Sequence, residues 1–134
     1  MSSEALIQSQ ILLAWGSHPR VRLWRSNAGS AWAPDGAGGM RPLLMAIKGT
    51  PDLVGVVQRT VVLSQAPHPE ITSVIAQYLG VEVKRQKTAT QQAGHLSPDQ
   101  RAFHAWMKEF GGIVIVARCV EDVDAALAPL GISR

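Results

Sequence analysis

A single cysteine, Cys119, stands in the 134-residue chain. It can form no internal disulfide, which fits a reducing interior. Within Val116-Ala117-Arg118-Cys119-Val120 it reads as semi-buried packing rather than as a reactive thiol. No apolar run approaches the roughly 20 residues needed to span a bilayer, so no membrane partner is expected. The N-terminus lacks a basic segment leading into an apolar run and cleavage site; secretion is not indicated, and the expected location is intracellular and cytoplasmic. His18, His68, His95 and Cys119 lack zinc-ligand spacing. The glycine-rich stretch lacks the Gly-Lys-Ser/Thr ending of a phosphate-binding loop, so no nucleotide cofactor is expected. Charged residues are few (17 %), but apolar content is ordinary, and global disorder is excluded. Length and the absence of a repeat or linker predict one domain over residues 1–134.

The charge that is present is unevenly placed. From Arg20 to Lys87 nine Lys or Arg face four acids, whereas from Ser97 onward four face five. The basic excess makes a polyanion the natural partner. It surrounds two short patterns. Gly49-Thr50-Pro51-Asp52 leads into the apolar run Leu53 to Val57, and Glu82-Val83-Lys84 ends another. Side chains two apart on a strand share a face, so Glu82 and Lys84 project together while Leu79, Val81 and Val83 turn to a core. If the strand after Asp52 pairs beside this one, two carboxylates and an ammonium converge. Oxygen ligands of that kind suit magnesium or manganese, and a lysine beside them could orient water or offset charge on a phosphate.

The pattern of elements is α/β. Ser2 or Ser3 caps a helix from Glu4 to Trp15 with Ile7, Ile11 and Trp15 inward. Glu4, in the first turn, complements the helix dipole or supplies a further metal contact. Val21 to Ser26 reads as a strand. Asn27 to Gly39, with Trp32 and Asp35, reads as a loop, either a plain connector or a nucleic-acid-contacting flap. Leu53 to Val57 is a strand that Val61 to Leu63 continues or pairs with, and Ser73 to Lys84 is a longer strand after a loop over Ser64 to Thr72. Ser97-Pro98-Asp99-Gln100 opens a helix with a capping box, its buried face marked by Phe103, Trp106, Met107 and Phe110. Gln100 serves that cap, or orients Lys84 or a phosphate. Arg101, His104 and Lys108 read as a solvated face, with His104 exposed or packed. Ile113 to Val116 is a buried strand, and Glu121 to Leu130 a last helix with Val123, Ala126, Leu127 and Leu130 inward.

Glu4, Gly49-Thr50-Pro51-Asp52, Glu82-Val83-Lys84 and Gln100, in this order from about Glu4 to Asp124, resemble the signature of the PD-(D/E)xK nuclease superfamily. More closely, they resemble the VRR-NUC family, whose short stand-alone members occur in phages and bacteria. The resemblance implies a restriction-endonuclease-like core: a mixed central β-sheet flanked by helices in the order α-β-β-β-α-β-α. It implies a Mg- or Mn-dependent deoxyribonuclease. Asp52, Glu82 and the Val83 carbonyl would hold the ion, with Glu4 acting directly or through water. Lys84 would position the attacking water, and Gln100 would assist. Arg22, Arg25, Arg41, Lys48, Arg85 and Lys87 are the expected DNA contacts. The family likeness further implies a homodimer acting on branched DNA such as four-way junctions. The alternatives are a flap-cutting or nicking nuclease, and a non-cleaving DNA-binding module that retains the fold.

Overall fold

The computed structural model describes residues 3–26, 30–44 and 47–134. Helix α1 spans Glu4–Trp15, strand β1 Val21–Arg25, β2 Ser30–Pro34, β3 Met40–Leu44, β4 Leu53–Val62 and β5 Thr72–Val83. Helix α2 (Pro98–Glu109), strand β6 (Ile113–Ala117) and helix α3 (Val120–Leu127) follow, and one 3₁₀ turn, Ala128–Leu130, ends the ordered elements. Four strands form one mixed sheet in the order β1-β4-β5-β6, antiparallel except for the β5–β6 pair. No helix among the described residues is long and apolar enough to cross a membrane.

The core follows from the two periodicities. Ile7, Ile11 and Trp15 fall one turn apart on α1 and are buried. They meet Leu53 and Val57 of β4 and Leu79, Val81 and Val83 of β5, alternate residues of one sheet face, with Val123 and Leu127 of α3 beside them. Trp15 also donates its indole N–H to Asp124 Oδ1 (2.9 Å), tying α1 to α3. Helix α2 lies on the opposite face, where Phe103 packs near Tyr78 of β5 at a ring-centroid distance of 6.3 Å.

Two expectations need correction, and one that stood open between continuation and pairing is decided. The glycine-rich segment read as a loop is an antiparallel hairpin, with Ser30 opposite Leu44 and Pro34 opposite Met40; Asn27 to Gly29 and Ser2 lie outside the described residues. Its turn closes because Asp35 Oδ1 accepts from the amides of Ala37 and Gly39, while Gly36 and Gly38 supply positive φ. Of the two readings of Val61 to Leu63, continuation holds: β4 runs on to Val62, paired with β5 along its whole length, so β4 and β5 extend together beyond both neighbours. On α2 the inward stripe begins at Gln100 and continues through Phe103 and His104, leaving Phe110 81 % exposed at the helix end.

Candidate active site

The antiparallel ladder pairs Leu53 with Val81, which brings Asp52 alongside Glu82 one residue further on. Asp52 Oδ2 accepts from the Val83 amide at 2.8 Å, and the Asp52 carbonyl accepts from the Ser26 amide at 2.8 Å. Asp52 is therefore locked to the strands on both sides. The expected pairing of the two motif strands is present.

The Gly-Thr-Pro-Asp segment is shaped to bridge sheet and helix. Gly49 has φ 85°, and a Cβ there would collide with the backbone of Asp99 in the first turn of α2. Only glycine lets the chain pass that close in that conformation. Pro51 lies over Gly80, where a Cβ would come within 2.8 Å of Pro51 Cγ. These two approaches seat the N-terminus of α2 over the end of β5.

That seating delivers Gln100. Its Oε1 accepts from the Ser97 amide (2.8 Å) while the Ser97 hydroxyl accepts from the Gln100 amide, completing the capping box. Its Nε2 donates to Glu82 Oε1 at 2.6 Å. Gln100 thus caps the helix and holds a site carboxylate at once; its partner is Glu82 rather than Lys84. The Lys84 ammonium is 3.2 Å from the same Glu82 oxygen.

Glu82 is 2 % exposed, and its other oxygen, Oε2, is buried with no hydrogen-bond partner among the described residues. Burial, then the neighbouring Asp52 carboxylate, pushes its pKa up to about 7, against the opposing pull of Lys84. A carboxylate pair with one uncommitted buried oxygen is a donor set that fits a hard divalent cation. Glu4 stands apart from that pair. Its Oε1 accepts from the Arg85 amide at 3.1 Å, one residue past Lys84. Among the described residues no group of three or more His, Cys, Asp or Glu gathers closely enough to hold a metal.

The six expected DNA contacts separate into two kinds. Arg25 points to the α1 side, donating to Gln8 Oε1 (2.6 Å) and Ser9 Oγ (2.9 Å). Arg22, three residues earlier on the same strand and so on the other face, lies on the Glu82 side of the sheet, exposed. Arg41 on β3, Lys48, Arg85 and Lys87 are all exposed, and Arg85 Nε donates to the Gln92 carbonyl.

Two residues near the site escaped the sequence reading, and a third was read as incidental. Arg118 donates to the carbonyls of Arg85 (2.6 Å) and Gly94 (2.7 Å), clamping the segment that returns from Lys84. No local pattern signals such a contact. Trp24 is 53 % exposed on the same sheet face as Asp52; strand parity alone would have found it. His104, buried on α2, has a lowered pKa, through burial first and then the charges of Lys108 and Lys84, and its Nε2 has no partner. Cys119 precedes α3 without a side-chain cap, and burial pushes its thiol up, consistent with a packing role.

No protein-family model matches this sequence, and neither does any curated protein or solved structure.

Proposed function

We propose that this chain is a metal-dependent endonuclease that hydrolyses DNA phosphodiesters, with a restriction-endonuclease-like core of the VRR-NUC type. The observation that carries this reading is the junction of Asp52, Glu82, Lys84 and Gln100 at one end of β4 and β5, with Glu82 Oε2 buried and uncommitted. A buried acceptor without a partner is costly unless a ligand satisfies it.

In this reading Asp52, Glu82 and the Val83 carbonyl would hold Mg²⁺ or Mn²⁺, and Glu4 would contribute through a water. A divalent ion bound there lowers the pKa of a coordinated water and offsets charge on the phosphate. The remaining work belongs to the chain itself. Gln100 fixes the Glu82 carboxylate through Oε1, and Oε2 would be the oxygen left to hold an ion. Lys84 holds its ammonium against the same carboxylate, where it can orient the attacking water and stabilise the charge developing on the phosphoryl oxygens. Arg22, Arg41, Lys48, Arg85 and Lys87 attract the polyanion. Branched DNA as substrate, a two-fold dimer and an intracellular setting are part of the same proposal, resting on the likeness of the motifs.

The standing of Glu4, bonded to the Arg85 amide, favours the second reading: a module that binds DNA without cutting it. Calorimetric titration with Mn²⁺ separates the two. The nuclease reading expects one site that disappears in Asp52→Asn and in Glu82→Gln. Equal binding by wild type and both variants, or none by any, favours the binding module. Ranking four-way junction, flap and linear duplex as substrates, with light scattering for the dimer, then decides between resolvase and flap cutter.

A further inference from the structure

Among the described residues, one strip of the sheet is left without a helix. Helices α1 and α3 cover the core face, and α2 covers the opposite face over Tyr78 and Glu82, next to β6. Among the described residues no helix lies over the β1–β4 half of that opposite face: Val54 and Val56 are half-buried there, and their cross-strand partners Trp24 and Arg22 are exposed. The register places these residues in a line with the site. Asp52 and Glu82 form one row, Trp24, Val54 and Gly80 the row two residues along, and Arg22, Val56 and Tyr78 the next. Each step is about 7 Å along the strands and about 5 Å across them.

The line continues into an open groove of about 330 Å³ lined by Arg20, Arg22, Val56, Gln58, Val74 and Ala76. Arg22 uses its Nη1 on the carbonyls of His18 and Val21, which holds the exposed side chain at the groove, and Arg20 is held there by donating to the carbonyls of Gly131 and Gln58. An exposed indole followed by two guanidinium groups, leading away from a carboxylate pair, has the chemistry of a path for one nucleic-acid strand. A flat aromatic surface accepts any base, and arginines accept phosphates.

We propose that Trp24 stacks on an unpaired base of the DNA strand next to the phosphate held at Asp52 and Glu82, and that Arg22 and Arg20 guide the strand's following phosphates along the groove. This inference rests on the nuclease reading for its direction, but not for its test. A base inside an intact duplex cannot reach the face of an indole on a sheet, so the surface selects a strand with at least one unpaired nucleotide near the cut. Trp24 is a binding residue in this account, with no part in the hydrolysis.

The test uses the full chain with single-stranded oligonucleotides carrying 2-aminopurine at successive positions, and fully paired duplex as a comparison. In EDTA, where nothing is cut, wild type should quench 2-aminopurine at one or two positions. Trp24→Ala should abolish that quenching and weaken single-strand binding about tenfold or more. Trp24→Phe should restore most of both, and Arg22→Ala should lower the salt slope by about one phosphate contact. With Mn²⁺, Trp24→Ala should slow cutting of a tailed substrate by a similar factor. Circular dichroism confirms the fold of each variant. Unchanged quenching and affinity in Trp24→Ala would overturn the proposal even if wild type cuts DNA. If wild type cuts nothing, the nuclease reading falls while the EDTA measurements still decide the role of Trp24.

Discussion

Glu82→Gln offers a perturbation whose size can be worked from the site. The carboxyl is 2 % exposed, and burial and the adjacent Asp52 raise its pKa from 4.5 to about 7. The folded chain therefore holds a proton that the unfolded chain has released between those two pH values. Stability from this group is fully present below pH 4.5 and is lost as pH rises through about 7. At about 1.4 kcal/mol per pH unit, the ionised carboxylate costs the metal-free fold on the order of 3 kcal/mol above pH 7. Glutamine keeps the shape and an acceptor for Gln100 Nε2, yet cannot ionise. In EDTA, the stability difference between Glu82→Gln and wild type should be small at pH 4.5 and grow to about 3 kcal/mol at pH 8. For a chain of this length that corresponds to about 10 °C in Tm. Titrating groups that do not act on Glu82, His104 among them, are common to both proteins and cancel in the difference, whereas Asp52 and Lys84 are coupled to Glu82 and titrate with it. Thermal or urea unfolding from pH 4.5 to 8 provides the assay. A difference that stays flat, or that shrinks toward high pH, would refute the account of Glu82 as a buried, strained carboxylate.

Other consequences follow from single contacts. Gly49→Ala forces a Cβ into Asp99 at φ 85° and should displace the start of α2; a loss of about 1–3 kcal/mol is expected, with slower cleavage because Gln100 moves from Glu82, and unchanged stability would contradict it. Ile11→Ala empties a fully buried position on α1 and should cost about 2–5 kcal/mol in denaturant unfolding. Arg118→Ala releases the carbonyls of Arg85 and Gly94. Amide exchange over residues 85–96 should rise by about tenfold or more, while exchange in β4 stays as it was.

Much of this arrangement is legible in residue order alone. The four-residue steps of Ile7, Ile11 and Trp15 and the Ser97 capping box are local signals, and local signals decide where helices begin and which way they face. The common face of Glu82 and Lys84 follows from strand parity. What failed was decided elsewhere. The hairpin over Ser30–Leu44 depends on Asp35 bonding two amides of its own turn, a geometry that composition disguises as a loop. Phe110 is as apolar as Phe103, yet α2 ends before it can reach the sheet, and the inward position goes to His104. Arg22 and Arg25 look alike in the sequence, but three residues apart on a strand they take opposite faces, and Arg25 is spent on α1. Glu4 sits at the predicted helix start, but how far its carboxylate stands from Asp52 depends on how α1 docks, which no local pattern encodes.

The most direct measurement is cleavage of end-labelled four-way junction, flap and linear duplex DNA with Mg²⁺, Mn²⁺ or EDTA, by wild type and Lys84→Ala. The account predicts cutting that requires the metal, vanishes in EDTA and falls at least a hundredfold in the variant. No cutting of any of these by a folded protein that binds DNA, or cutting indifferent to metal and to Lys84, would contradict it.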